Sequence, residues 1–122
     1  MSIYHPLAAR DRLTAEDLHG ENFLLIRRGW NRYLDQMRDE LWRDHPQIHI
    51  VDFEMFNINV FNQCENSEDI LMTIDNWRQV HPLLKTIPVD WSYTIPYGLL
   101  HSPRPTPTVR RFLKAVRTVY QL

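Results

Sequence analysis

The sequence predicts an α/β fold in a single domain, with an open, mostly parallel sheet flanked by helices. Two apolar runs, residues 22–26 and 47–51, have the pattern of strands, and an amphipathic helical pattern lies between them. A second helical stripe and a third apolar run, residues 69–74, continue the alternation. This β-α-β-α-β order implies parallel strands joined by right-handed crossovers. A chain of 122 residues is long enough for one core, and a second domain is not expected.

The first strand and the first helix have the clearest signals. Residues 22–26 form an apolar run between Gly20 and Gly29, which is typical of a strand covered on both faces. Apolar side chains then recur at three- and four-residue steps over residues 31–44, and Pro46 ends the predicted helix. The apolar positions of this helix are Tyr33, Leu34, Met37, Leu41 and Trp42.

The next elements are shorter. Residues 47–51 are rich in β-branched side chains and predict the second strand, and residues 69–74 predict the third. Ahead of the first strand, Thr14 is expected to cap a short helical turn that stops at Gly20. The helical stripe between the second and third strands consists of Phe56, Val60, Phe61 and Cys64.

The last third of the chain predicts a short helical piece near residues 80–83, strands at 86–89 and 93–100, and a final helix. Thr106 is the expected cap of this helix and Pro107 its first residue. One face is apolar and the other is basic. The apolar face is formed by Val109, Phe112, Leu113, Val116 and Tyr120, and the basic face by Arg110, Arg111, Lys114 and Arg117.

Charge is balanced overall but unevenly distributed. The formal net charge is -1, which argues against a strongly basic nucleic-acid binder. Residues 1–103 carry nine basic and fifteen acidic side chains, a charge of -6, whereas residues 104–122 carry five basic and no acidic ones, a charge of +5. No apolar run approaches the roughly 18 residues that span a bilayer, and no signal peptide is evident.

Catalytic and metal-binding motifs are absent. The lone Cys64 excludes an internal disulfide and favours a reducing cytoplasm; on its apolar stripe it is expected to be a small buried hydrophobe, the alternative being a thiol nucleophile. His45 and His49 are four residues apart, but Pro46 interrupts the helix that would align them as metal ligands. No phosphate-binding glycine loop or nucleophile elbow occurs. We therefore expect a protein that is not an enzyme and that has no cofactor or metal.

The loops after the three strands are the candidate ligand site, because open α/β sheets bind ligands at the carboxyl ends of their strands. The first loop precedes a helix N-terminus and carries two arginines, which favours an anion. Alternatively, these arginines are solvated or paired with helix acids, and the aromatic residues of the loops belong to the core. The candidate residues are Arg27, Arg28, Gly29, Trp30, Asn31, Glu54, Phe56, Asp75 and Trp77.

Both ends of the chain resemble one protein family. The motif His5-Pro6-Leu7-Ala8 and the stretch 13–24 resemble the interlobe crossover of LysR-type transcriptional regulators. The sequence Ile-Pro-Tyr-Gly-Leu-Leu at residues 95–100, with Val109-Arg110-Arg111-Phe112-Leu113 beyond it, resembles the return crossover and closing helix of that family. One departure is the approach to the third strand, residues 65–70, where the family usually has a glycine-containing turn and this chain has none.

The resemblance implies a lobe like those of type II periplasmic binding proteins. Residues 1–22 would be the first crossover, 23–91 the second regulatory lobe, and 92–122 the return crossover strand and C-terminal helix. The DNA-binding helices and first lobe of the family have no counterpart in this sequence, so we expect a partial effector-binding domain.

The parent protein implied by the resemblance is a cytoplasmic bacterial regulator whose DNA binding is controlled by a small anionic effector. The expected partners of this chain are that effector and a second copy, in a homodimer or a self-association through residues 93–122. Direct contact with nucleic acid or a membrane is not expected. The alternative is an oligomerisation or interaction module without ligand binding of its own.

Overall fold

The computed structural model describes all residues 1–122 and is a mixed α/β fold with a small, open, three-stranded parallel sheet and three helices. The sheet has the strand order β2-β1-β3. Its strands are β1 (Asn22–Ile26), β2 (His49–Phe53) and β3 (Ile70–Leu71). The helices are α1 (Arg32–Asp44), α2 (Ile58–Glu65) and α3 (Pro107–Tyr120). The predicted α/β class and the parallel strand pairing are confirmed.

The central strand β1 is covered on both faces, as predicted. Phe23 and Leu25 belong to a cluster that includes the buried face of α1, whereas Leu24 belongs to a second cluster on the side of α2. Because side chains alternate along a strand, Phe23, Leu24 and Leu25 face the two clusters in turn, and Ile26 at the end of the strand joins the first cluster. The apolar run of β1 therefore follows from its position between two helical layers.

Helix α1 begins and ends where the sequence predicts. The Asn31 side chain accepts hydrogen bonds from the backbone N–H groups of Tyr33 and Leu34, and so caps the first turn. Leu34, Met37 and Leu41 are buried against the sheet. Trp42, which the pattern assigned to the apolar face, is instead exposed.

The second strand lies two residues later than predicted. Residues 45–48 form the turn that leaves α1, with the Ile48 N–H donating to His45 O, so the strand starts at His49. The register pairs Ile26 with Phe53, which places Asp52 and Phe53 in the strand. Phe56 precedes α2 because Asn57 caps that helix.

The third strand is much shorter than the predicted 69–74. Only Ile70 and Leu71 pair with β1, and the Met72 N–H makes a last bond to Leu24 O. The chain then leaves the sheet and enters a single turn of 3-10 helix at Asp75–Trp77. Residues 72–74 therefore belong to the loop at the edge of the sheet.

The predictions of a helix near 80–83 and of strands at 86–89 and 93–100 are wrong. This part of the chain makes only two isolated bridges, in which Leu84 pairs with Ser2 and Val89 pairs with Leu13. Proline lacks a backbone donor, and the prolines at positions 82, 88 and 96 limit pairing in each of the three segments.

The N-terminal segment contains two short 3-10 turns, Pro6–Ala9 and Glu16–Leu18. The expected cap at Thr14 is reversed, because the Asp17 carboxylate accepts from the Thr14 N–H. Gly20 ends this segment with a φ of 85°, a conformation that favours glycine.

Helix α3 has the predicted bounds and the predicted cap, since Thr106 Oγ1 accepts from the Val109 N–H. None of its residues is buried, so its apolar stripe is uncovered. No helix of the protein combines the length and the hydrophobicity needed to cross a bilayer.

Candidate functional site

A pocket of about 380 Å³ opens at the carboxyl edge of the sheet. The segments that follow all three strands contribute to it, together with one residue, Ile95, from the later irregular chain. Ten of the twelve lining residues are hydrophobic, so the pocket favours an apolar ligand body. The lining residues are Leu25, Ile26, Trp30, Asn31, Leu34, Met55, Phe56, Met72, Thr73, Ile74, Trp77 and Ile95.

Aromatic side chains form one wall of the pocket. The rings of Phe56 and Trp77 meet edge to face with centroids 4.7 Å apart, and Phe53 packs against Phe56 at the same distance. Phe61 extends this series below Trp77. Trp30, on the opposite loop, is about half exposed (54%) and stands at the rim. A flat apolar group can therefore contact the packed aromatic wall on one side and the half-exposed Trp30 on the other.

Two polar groups of the pocket have hydrogen-bonding capacity that the chain does not use. Asn31 uses its Oδ1 to cap α1, and no hydrogen bond within the protein involves its Nδ2. The Thr73 hydroxyl is buried and has no hydrogen-bond partner. An unpartnered buried hydroxyl costs free energy, and this one has no surface that a ligand in the pocket could reach. Asn31 Nδ2 is therefore the polar group that can orient a ligand held by the aromatic wall.

The two arginines of the first loop do not line the pocket. Arg27 pairs with Glu54 at 2.6 Å, and Arg28 pairs with Asp39 of α1. The hydrogen bond from Arg28 holds the pKa of the Asp39 carboxyl below its usual value. The pairing of Arg28 with an acid of α1 is the alternative that the sequence left open. Arg27 instead pairs with Glu54, an acid of the second loop that was itself a candidate ligand residue.

The backbone of this loop is also engaged. Gly29 has a φ of 94°, and its N–H donates to both carboxylate oxygens of Asp35, at 3.1 and 3.2 Å. A carboxylate of the protein itself thus occupies the place where the loop would receive an anion. With no basic side chain in the pocket lining, a ligand anion has no counterion there.

The candidate residues therefore fall into two groups. Trp30, Asn31, Phe56 and Trp77 lie together in the pocket. Outside its lining are Arg27, Arg28, Gly29, Glu54 and Asp75. Of these, Asp75 pairs with Arg78 at 2.6 Å and lies beside a different groove, described below.

Sequence reasoning missed several pocket residues. Met72, Thr73 and Ile74 fall within the predicted third strand, and this prediction hides their place in the loop that follows it. Met55 lies within the second loop, and its position between Glu54 and Phe56 was a usable signal. Ile95 is distant in sequence and no local pattern marks it.

The histidines and the cysteine lie elsewhere. His19 Nε2 and His45 Nδ1 are 3.0 Å apart, and the buried His5 approaches Glu21 at 3.4 Å. The structure has no group of three or more His, Cys, Asp or Glu side chains that could hold a metal ion. Cys64 is fully buried and its thiol donates to Asp69 O at 3.3 Å, which confirms the prediction of a small buried side chain.

Fold and site together describe a mixed α/β protein with an apolar pocket at the carboxyl edge of a small parallel sheet. No protein-family model, curated protein or solved structure matches this chain.

Proposed function

We propose that this chain is a small-molecule-sensing lobe of a LysR-type bacterial transcriptional regulator, with a fold like the lobes of type II periplasmic binding proteins. The pocket of about 380 Å³ at the carboxyl edge of the sheet is the single observation that carries the proposal. Such an edge is where open α/β sheets bind ligands, and the crossover motifs at both ends of the chain agree with the family.

The proposed ligand has a flat, apolar body and neutral hydrogen-bonding groups. The wall of Phe56 and Trp77 would hold the body, and Asn31 Nδ2 would bind a polar atom of the ligand. This departs from the anionic effector expected from the sequence, because Arg27 and Arg28 are paired with acids outside the pocket. In the parent regulator, occupation of this pocket would change how the protein holds DNA, without DNA contact by this chain.

A matched pair of probes tests the ligand chemistry. Benzamide and benzoate share one shape and differ in charge, and the fluorescence of Trp30 and Trp77 reports on both. We expect benzamide to bind more tightly than benzoate. Trp30→Ala should weaken benzamide binding about threefold to tenfold, because one aromatic contact is lost. Trp42→Ala, which removes an exposed tryptophan outside the pocket, is the control and should leave the affinity unchanged.

Two results would contradict the proposed pocket. One is the absence of saturable binding of either probe at millimolar concentration. The other is binding that Trp30→Ala and Trp42→Ala affect equally. If benzoate binds more tightly than benzamide, the pocket is still a ligand site, but its ligand is an anion, as the sequence predicts.

The Thr73 hydroxyl gives an independent prediction. Thr73→Val removes a buried hydroxyl that has no partner, so the free energy of unfolding should rise by about 1 kcal/mol. The affinity for benzamide should not change, because the hydroxyl has no surface that a ligand could reach. Urea unfolding and the fluorescence titration measure the two quantities. A variant that loses stability would show that the hydroxyl has a partner within the protein.

A second candidate function is self-association through residues 93–122. The observation that favours it is the amphipathic helix α3, whose apolar stripe covers nothing in the chain. Phe112 and Tyr120 of this stripe are 58% and 63% exposed. Contiguous apolar surface of this kind is typical of protein interfaces.

A further inference from the structure

The sheet has a free edge along β3. Because the Met72 N–H bonds to β1, the alternate residues Leu71 and Thr73 direct their backbone groups away from the sheet. No strand lies on that side of β3. Thr73 makes no backbone–backbone hydrogen bond at all. An edge with open donors and acceptors is a template for a further strand.

A groove of about 470 Å³ runs along this edge. Its first wall is formed by residues 70–75 and its second by residues 85–89, with Trp91, Tyr93 and Ile95 beyond. In the second wall, Thr86 and Ile87 also lack backbone–backbone hydrogen bonds. The groove is therefore lined on two sides by main chain that is free to pair, which distinguishes it from the pocket at the carboxyl edge.

The chain also carries a segment that needs a partner. Residues 92–100 make no backbone–backbone hydrogen bonds. Within this segment Tyr93 and Ile95 pack against the core, whereas Tyr97, Leu99 and Leu100 are exposed, at 73%, 52% and 104%. Residues 97–100 are thus largely apolar, exposed and outside regular secondary structure. In an extended conformation four residues span about 13 Å, which matches the free edge from residue 71 to residue 74.

We propose that residues 97–100 of a second copy of this chain dock as a strand in the groove along β3, in a reciprocal exchange. Tyr97 lines the groove of its own chain. The docking segment, residues 97–100, and the edge of β3 therefore lie next to each other in each copy. That arrangement allows a two-fold pair in which each copy gives and receives the same element. The inference rests on the self-association proposed above and names its site.

Charge supports a second copy as the occupant. Docking of residues 97–100 would carry the segment that follows, residues 104–122, onto the partner. This segment has a charge of +5, and residues 1–103 of the partner have a charge of -6. The partner would then contact both the basic face and the apolar stripe of α3.

Sedimentation of the full 122-residue chain tests the pairing. We expect a dimer at high micromolar concentration, and Leu99→Lys should raise its dissociation constant about tenfold or more, because a charge enters the paired strand. Leu99 is half exposed, so the monomer should stay folded. Ile58→Lys, at an exposed site on α2 outside the groove, is the matched control and should have no effect.

Amide hydrogen exchange locates the contact. We expect exchange at Thr73 to slow as the protein concentration rises, and Leu99→Lys to abolish this dependence. A chain that stays monomeric at every concentration would overturn both the docking and the self-association. A dimer in which Leu99→Lys has no effect, or in which Thr73 exchanges at the monomer rate, would overturn the docking alone. Protection of Thr73 that is independent of concentration would also overturn it, because the segment would then close on its own chain.

Discussion

At the scale of single residues, the partners of the charged groups decide what the site can bind. Arg27 and Arg28 follow a buried strand and precede a helix, a position typical of anion recognition, yet both are held by carboxylates of the protein. The Asp35 carboxylate, on α1, accepts hydrogen bonds from the N–H of Gly29 in the same loop. The residues that remain available are aromatic or neutral and polar. For this reason the proposed ligand is defined by Trp30, Asn31 and the other pocket residues.

Tyr93 gives a prediction at this scale. Burial, with a further contribution from the Glu40 carboxylate, raises the pKa of Tyr93 from 10.0 to about 12. Because the unfolded phenol ionises first, Tyr93 stabilises the fold fully below pH 10, and this contribution is lost as the pH rises towards 12. Tyr93→Phe should therefore flatten the fall in unfolding free energy over that range. Urea unfolding at several pH values measures the slope, and the exposed Tyr97→Phe is the control. An equal slope in Tyr93→Phe and wild type would contradict the assignment.

At the scale of elements, caps and prolines explain where the regular structure begins and ends. Asn31, Asn57 and Thr106 each cap a helix through a side-chain oxygen, and the helices start at the next residue. The strands follow a different rule, because their length depends on a neighbour. β3 has only two residues because the chain leaves β1 after Met72. A sequence shows cap residues directly, but it does not show where the pairing between two strands ends.

The cap of α1 gives a prediction at this scale. Asn31→Ala should lower the free energy of unfolding by about 1 kcal/mol, because two backbone N–H groups lose their acceptor. Asn31→Asp keeps an oxygen at that place and adds a charge that the helix N-terminus favours, so it should be close to neutral. Urea unfolding followed by circular dichroism compares the two. Asn31→Asp should still weaken benzamide binding, because it lacks the amide donor. Equal destabilisation by both substitutions would show that the oxygen is not the stabilising atom.

At the scale of the whole molecule, the charges separate into an acidic body and a basic end. The basic end is the amphipathic helix α3 with the segment before it, and no residue of the helix is buried. A helix with an apolar face gains most of its stability in a protein from packing. The apolar stripe of α3 and the edge of β3 are thus two surfaces that lack a partner. The proposed exchange would cover the stripe and pair the edge.

Salt dependence gives a prediction at this scale. If the basic end meets the acidic body of a second copy, the dimer dissociation constant should rise between about 0.05 and 0.5 M salt, because screening shortens the range of the attraction. A double variant, Arg110→Gln with Arg111→Gln, should weaken the dimer at low salt and flatten its salt dependence. Sedimentation equilibrium measures both. A wild-type dissociation constant that does not change with salt would show that apolar contacts alone hold the dimer together.

The sequence by itself determined the α/β class, the bounds of β1, α1 and α3, and the burial of Cys64. These features depend on local periodicity, on caps and on prolines, and all of these signals come from residues that are close together in sequence. Only the tertiary structure decided which acids pair with Arg27 and Arg28, and that residues 72–74 leave the sheet to line the pocket with Ile95. It also decided that residues 92–100 make no backbone–backbone hydrogen bonds within the chain. Ion pairs and strand pairing join residues that are distant in sequence, so their outcome depends on the folded geometry as a whole.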